Sequence, residues 1–211
     1  MYLSRLKLDP LKHCTRHLRL SPYVLHQAVF RAFPDESDGG PGRVLYRVDT
    51  DRRGNTSLLV QSEKKPDWDK ASMLQECFIE PAEWRPYAPR CRKGQDLYFR
   101  LRANPAVKKQ AEGRKNGYRL GLLREEDQLK WFQRKAQEGG FTLLNCQIMP
   151  EGIVHGEEGR RDGKLRHYAV RFEGVLRVVD PNTFLVTIGN GIGPGKGFGF
   201  GLLSVAPLRQ V

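Results

Sequence analysis

The sequence predicts an α+β protein made of two successive units, each an antiparallel sheet covered by helices on one face. Three observations predict it. Short runs alternating apolar and polar residues recur in both halves, helical patterns fall between them, and the order strand, helix, strand, strand, helix in the first half returns in the second. The expected division is 1–90 and 91–211. No sequence repeat links the halves, so the duplication rests on element order alone.

Tyr2–Leu8 alternates like a strand and has neither the apolar stretch nor the cleavage site of a secretory signal. Ser21-Pro22 starts a helix, a hydroxyl cap followed by proline at the first helical position. Leu25, Ala28, Val29, Ala32 and Phe33 lie on one face of that helix, and Pro34 ends it. After the loop Gly39-Gly40-Pro41-Gly42, Val44–Val48 and Ser57–Gln61 read as strands joined by a turn containing Gly54. Trp68–Cys77 is a weaker helix, and residues 80–93, with Pro81, Pro86 and Pro89, read as an irregular linker.

In the second half, Leu97–Arg102 alternates and runs into Asn104-Pro105, followed by a loop rich in Lys and Arg. Glu125–Gln137 carries acids in its first turn and Arg134 and Lys135 in its last, matching the helix dipole. Gly139-Gly140 stops it. Strands are expected at 141–148 and 166–179, a short helix from Asp180-Pro181 to about Gly189, and a last strand at Leu202–Val205.

Composition narrows the function. The chain has 211 residues and a net charge of +12, with a pI near 9.8 and a mean hydropathy of −0.58. Such a surplus favours phosphate-rich partners over an unspecialised basic enzyme. No apolar run reaches the roughly 18–20 residues of a membrane span, and no helix pairs a basic side with a large apolar one, so no membrane role is expected. Cys14, Cys77, Cys91 and Cys146 match no zinc or disulfide framework. His13-Cys14-Thr-Arg-His17 approaches ligand spacing most closely and still lacks the further ligands of a tetrahedral site. Free thiols, no metal, no cofactor and a reducing cytoplasm are the expectation.

From Gly189 to Gly201 glycine occupies every odd position. That register excludes the dinucleotide fingerprint, and Asn190 and Gly197 fall where a phosphate-binding loop needs Gly and Ser or Thr. A nucleotide-dependent enzyme is thereby disfavoured. Strict alternation predicts an extended segment with one bare face, with Lys196 placed for a phosphate oxygen. Lys196-Gly-Phe-Gly-Phe200 also matches the start of an RNA-recognition motif, then breaks at Gly201 and Leu203; coincidence is the reading preferred. On the helix from Ser21, a 3.6-residue period puts Tyr23, His26 and Phe30 on the flank away from the core face, with Arg31 further round. Tyr23 and His26, at i and i+3, are expected to be neighbours. An imidazole can move a proton at neutral pH and a phenol can orient a phosphate. The plainer alternative is an exposed His and Tyr without a role. Around Asp162-Gly163, the residues Arg160, Arg161, Lys164 and Arg166 make a basic hairpin, either a solvated loop or a surface for an RNA stem.

Taken in order, several segments resemble the CasE family, the CRISPR RNA endoribonuclease of type I-E Cascade. They are the opening Met-Tyr-Leu-Ser-Arg, Tyr23-x-x-His26-Gln27, Leu97-Tyr-Phe-Arg-Leu-Arg-Ala-Asn-Pro105 and Trp131-x-x-Arg134-Lys135. Val170-x-Phe172-Glu-Gly174-x-Leu176 and the close Gly191-Ile-Gly-Pro-Gly-Lys196 … Gly201-Leu-Leu-Ser-x-Ala-Pro207 complete them. The resemblance covers nearly the whole chain. It implies two tandem ferredoxin-like (RRM-like) domains, the first carrying the catalytic helix, the second the basic hairpin and glycine loop. It implies metal-independent cleavage of precursor CRISPR RNA at the base of each repeat hairpin. The RNA's own 2′-OH attacks, leaving a 2′,3′-cyclic phosphate and a 5′-OH. The product stays bound, and the protein joins the other Cascade subunits. Tyr23 and His26 match the family's catalytic pair, with His26 as acid or base. Arg31, Arg100, Arg102, Arg160, Arg161, Lys164, Arg166 and Lys196 are the RNA contacts expected. The rival is an RNA-binding module without cleavage.

Overall fold

Tyr2–Leu8 forms β1, whose alternation buries Ser4, Leu6 and Leu8 and exposes Arg5 and Lys7. In the computed structural model, which describes residues 1–110, 118–156 and 165–208, this strand is central to the first of two compact units. That unit contains Met1–Pro89 and, from far along the chain, His155, Gly156, Leu165 and Lys196–Gly199. The second contains Arg90–Val154, Arg166–Gly195 and the chain from Phe200 onward.

In the first unit β1 is followed by α1 (His13–Leu20) and α2 (Pro22–Phe30), then β2 (Val44–Thr50), β3 (Thr56–Ser62), the short α3 (Ser72–Gln75) and β4 (Glu83–Pro86). The sheet order is β2-β3-β1-β4, with β1 antiparallel to β3 and to β4 (Leu6 opposite Leu58, Tyr2 opposite Pro86). Leu6, Leu8, Tyr46, Leu58 and Val60 from the sheet pack against Leu18, Leu25, Val29 and Leu74 from the helices. Trp68 joins them, its indole N–H donating to Ser4 Oγ at 3.1 Å. At about 25 cal/mol per Å² of apolar area, such a cluster is the main force holding this unit.

Two elements go beyond the sequence reading. The helix α1 lacks a side-chain cap and acids in its first turn, and buries only Thr15 and Leu18, so its periodicity is too thin to read. Strand β4 falls where three prolines suggest an irregular linker; it is a four-residue edge strand, the position where proline is tolerated. Nor are all the thiols free: Cys14 on α1 and Cys77 are paired as a disulfide with Cα atoms 5.9 Å apart, while Cys91 and Cys146 are free.

The second unit runs β5 (Asp96–Ala103), a small hairpin of β6 (Ala106–Lys109) and β7 (Tyr118–Gly121), α4 (Glu125–Glu138), β8 (Phe141–Gly156), β9 (Leu165–Val178), α5 (Pro181–Asn190) and β10 (Leu203–Pro207). Its main sheet has the order β10-β5-β9-β8. Counted within each unit, both sheets read fourth, first, third, second strand, with helices in the two crossovers, which makes the chain two tandem ferredoxin-like folds. The core here is aromatic, with Phe132 4.8 Å from Phe172 and 5.5 Å from Phe99, ring centroid to centroid. Helix α4 stops at Gly139-Gly140; Gly140 has φ 77°, and a Cβ there would lie 2.7 Å from the Asp180 carbonyl. Among the described residues no helix is long and apolar enough to cross a membrane.

Candidate active site

Ser21 Oγ accepts from the Val24 amide at 3.4 Å and Pro22 opens the first turn, which fixes where α2 begins. The start sets the helix phase. With Leu25, Ala28 and Val29 buried in the core, Tyr23, His26 and Phe30 are left on the opposite flank. Tyr23 is 41% exposed, and its hydroxyl accepts from Gln27 Nε2 at 3.0 Å rather than bonding the imidazole. His26 lies against Phe30, ring centroids 4.1 Å apart. Arg31 caps the C-terminal end of the same helix and is exposed.

His26 is half-buried rather than the open residue its helical position predicts. The cause is the 3₁₀ turn Lys196–Phe198, which packs on α2 and β2. A Cβ at Gly197 would lie 3.5 Å from His26 Cε1 and Nδ1. From β2, the Tyr46 hydroxyl donates to the Gly197 carbonyl at 2.5 Å. Burial pushes the His26 pKa below its ordinary value, and the nearby Gly197 backbone offsets this only in part. Nδ1 is buried and no hydrogen bond closes on it. Burial thus favours the neutral ring, a form that can take a proton from a hydroxyl and later return it.

The glycine run is not the extended, one-faced segment that alternation suggests. Gly191, Gly193, Gly195, Gly199 and Gly201 have φ between 73° and 88°, so the alternation supplies left-handed turns that other residues rarely adopt. Gly199, at φ 78°, also brings the backbone onto the Tyr46 ring, where a Cβ would be 3.3 Å from Cε2. The apparent RNA-recognition motif forms a 3₁₀ turn and a glycine bend, and the strand after it, β10, is an edge strand, so the match is coincidental. Lys196 is half-buried in this turn.

Thus Tyr23, His26, Arg31 and Lys196 belong to one unit. Arg100 and Arg102 belong to the other, on the face of β5 opposite its buried Leu97, Phe99 and Leu101. Their Nε atoms are ion-paired, Arg100 with Glu173 and Arg102 with Glu151, each at 2.6 Å, and Arg102 lies 4.7 Å from the Phe200 ring centroid. Arg160, Arg161 and Lys164 lie outside the described residues, as does the side chain of Arg166. Among the described residues no three His, Cys, Asp or Glu side chains gather as metal ligands. Sequence reasoning missed Tyr46. The available signal was a Tyr inside an apolar strand, whose hydroxyl must find a partner if the ring is buried.

A family model described as "CRISPR associated protein" matches residues 1–207. The "CRISPR-associated endoribonuclease Cse3" of Thermus thermophilus is 37% identical over 98% of this chain and 100% of its own length. The "CRISPR system Cascade subunit CasE" of Escherichia coli K12 is 28% identical over 88% of this chain and 92% of its own. Among solved structures, Cse3 bound to a 19-nucleotide RNA superposes with TM-score 0.83, 36% identity and coverage of 98% of this chain and 100% of that one. A second match is Cas6e of Escherichia coli, with TM-score 0.69, 26% identity and coverage of 99% and 100%. With the family model and the Thermus thermophilus relative both aligned along nearly the whole chain, this protein belongs to the CRISPR-associated Cse3/CasE family.

Proposed function

We propose that this protein is the endoribonuclease that processes precursor CRISPR RNA and remains on the product as a subunit of Cascade, in the cytoplasm. The observation that carries the reading is the site on α2: a half-buried imidazole whose burial lowers its pKa, with an exposed phenol one turn away, in a chain whose relatives are named as CRISPR endoribonucleases. Solved relatives are described as bound to RNA and as parts of an RNA-guided surveillance complex.

The chemistry follows from the ring's resting state. His26, neutral, takes the proton of the 2′-OH beside the scissile phosphate at the base of the repeat stem. The freed 2′ oxygen bonds to phosphorus, the bond from phosphorus to the 5′ oxygen breaks, and that oxygen leaves with the proton that the His26 imidazolium returns. The products are a 2′,3′-cyclic phosphate and a 5′-OH, with no water consumed and no metal or cofactor needed. Tyr23 orients the phosphate. Arg31 and Lys196 hold neighbouring phosphates, and Arg160, Arg161, Lys164 and Arg166 lie against the stem. Arg100 and Arg102 offer RNA guanidinium groups already oriented by Glu173 and Glu151. A-form RNA has a major groove too narrow for ordinary readout, so recognition is by shape and by the opened bottom of the stem.

The test is a labelled repeat stem-loop incubated with the protein in EDTA. Cleavage is expected to persist, and to stop when the 2′-OH at the scissile position is replaced by hydrogen. Activity that needs magnesium, or rapid cleavage of the deoxy substrate, would overturn the mechanism.

A further inference from the structure

We propose that Tyr46 is a positioning residue for this cleavage: its hydroxyl, bonded to the Gly197 carbonyl, locks the Lys196–Phe198 turn against the His26 imidazole. The inference rests on the reading of His26 as the proton carrier.

Tyr46 sits in the middle of β2, fully buried in the core of its unit and opposite Val60 on β3. For core packing alone, Phe would serve there, and a buried hydroxyl is costly unless bonded. This hydroxyl is bonded, and to the residue whose Cα faces the catalytic ring. The same side chain grips the turn twice, since the backbone at Gly199 also rests on the ring edge. Within the turn itself, the Gly199 amide reaches the Lys196 carbonyl only at 3.4 Å. On either side of it stand Gly195 at φ 80° and Gly199 at φ 78°, joints where glycine imposes little stiffness of its own. The Tyr46 hydroxyl adds a tether from outside the turn, at Gly197 itself. Phe30 and Gly197 then both contact the His26 ring, which limits its swing about χ1 and χ2. Proton transfer is sensitive to such placement; a displacement of about 1 Å can cost roughly 100-fold. Among the described residues, titratable side chains on the elements that meet there include Lys196 on the turn, Tyr46 on β2 and Tyr23 on α2.

Tyr46→Phe removes the tether and leaves the ring. It is expected to lower kcat by about 10- to 100-fold with KM for the stem-loop changed by less than about two-fold. It is also expected to move the His26 limb of the pH–rate profile to higher pH, because a loosened turn lets water reach the imidazole. Gly199→Ala strains the same turn while keeping the hydroxyl, and is expected to give the same loss and the same movement; it also stands in should Tyr46→Phe fail to fold. Wild-type kcat and an unmoved limb in Tyr46→Phe would overturn the proposal. So would a fall in kcat that leaves the limb in place and simply follows a fall in melting temperature, the signature of a structural role. His26→Ala in the same assay separates the two claims: if it cleaves at the wild-type rate, the reading of His26 fails whatever Tyr46 does.

Discussion

His26 shows how distant and local contacts together change a side chain's surroundings. An open helical histidine would titrate near its ordinary value of about 6.5; with Phe30 and Gly197 against it, burial keeps it neutral to lower pH. If His26 is the acceptor of the 2′-OH proton, the rate of cleavage is expected to fall only as pH drops through this lowered value, where protonation removes that acceptor. A kcat/KM profile reads the free enzyme's pKa, and a midpoint above about 6.5 would contradict the burial argument. Replacing His26 by Ala is expected to remove about 10²–10⁴-fold of the rate, with stem-loop affinity near wild type. Affinity collapsing together with rate would assign His26 to binding. That Tyr23 and His26 share the flank away from the core face could be read from the sequence, since helical phase sets it. Tyr46 could not: a strand pattern says that a residue faces inward, and nothing in it says which distant carbonyl its hydroxyl will meet.

At the scale of elements, α2 was legible because its signals are local. Ser21 and Pro22 fix its start within the chain itself, and Ser21 also ends α1. Replacing Ser21 by Ala leaves the Val24 amide without its acceptor and is expected to cost about 0.5–2 kcal/mol in unfolding free energy. Chemical denaturation followed by circular dichroism would measure it, and an unchanged midpoint would mean that Pro22 alone sets the helix start. The elements missed lack such signals. Helix α1 has two inward residues and no cap, and β4 is held by pairing with β1 rather than by its own pattern. The hairpin of β6 and β7, four residues a side, is likewise too short for periodicity to register.

For the whole molecule, the charge of +12 is a statement about partners. If Lys196, Arg160 and Arg161 touch phosphates, Lys196→Ala or a double Arg160/Arg161 change will weaken stem-loop binding and flatten its salt dependence by about one unit of slope per lost contact. An unchanged slope would place these side chains in solvent. Charge, alternation, caps and helical phase are properties of residues near one another in the chain, so the sequence by itself determined the α+β class, the paired strand–helix order, the taste for polyanions and the flank bearing Tyr23 and His26. Which distant segments meet was decided only in the tertiary structure. It put Lys196–Gly199 on α2 and β2, turned the alternating glycines into left-handed bends, and paired Cys14 with Cys77. These are long-range contacts, selected by how buried surfaces and buried polar groups are jointly satisfied, and no local pattern encodes them.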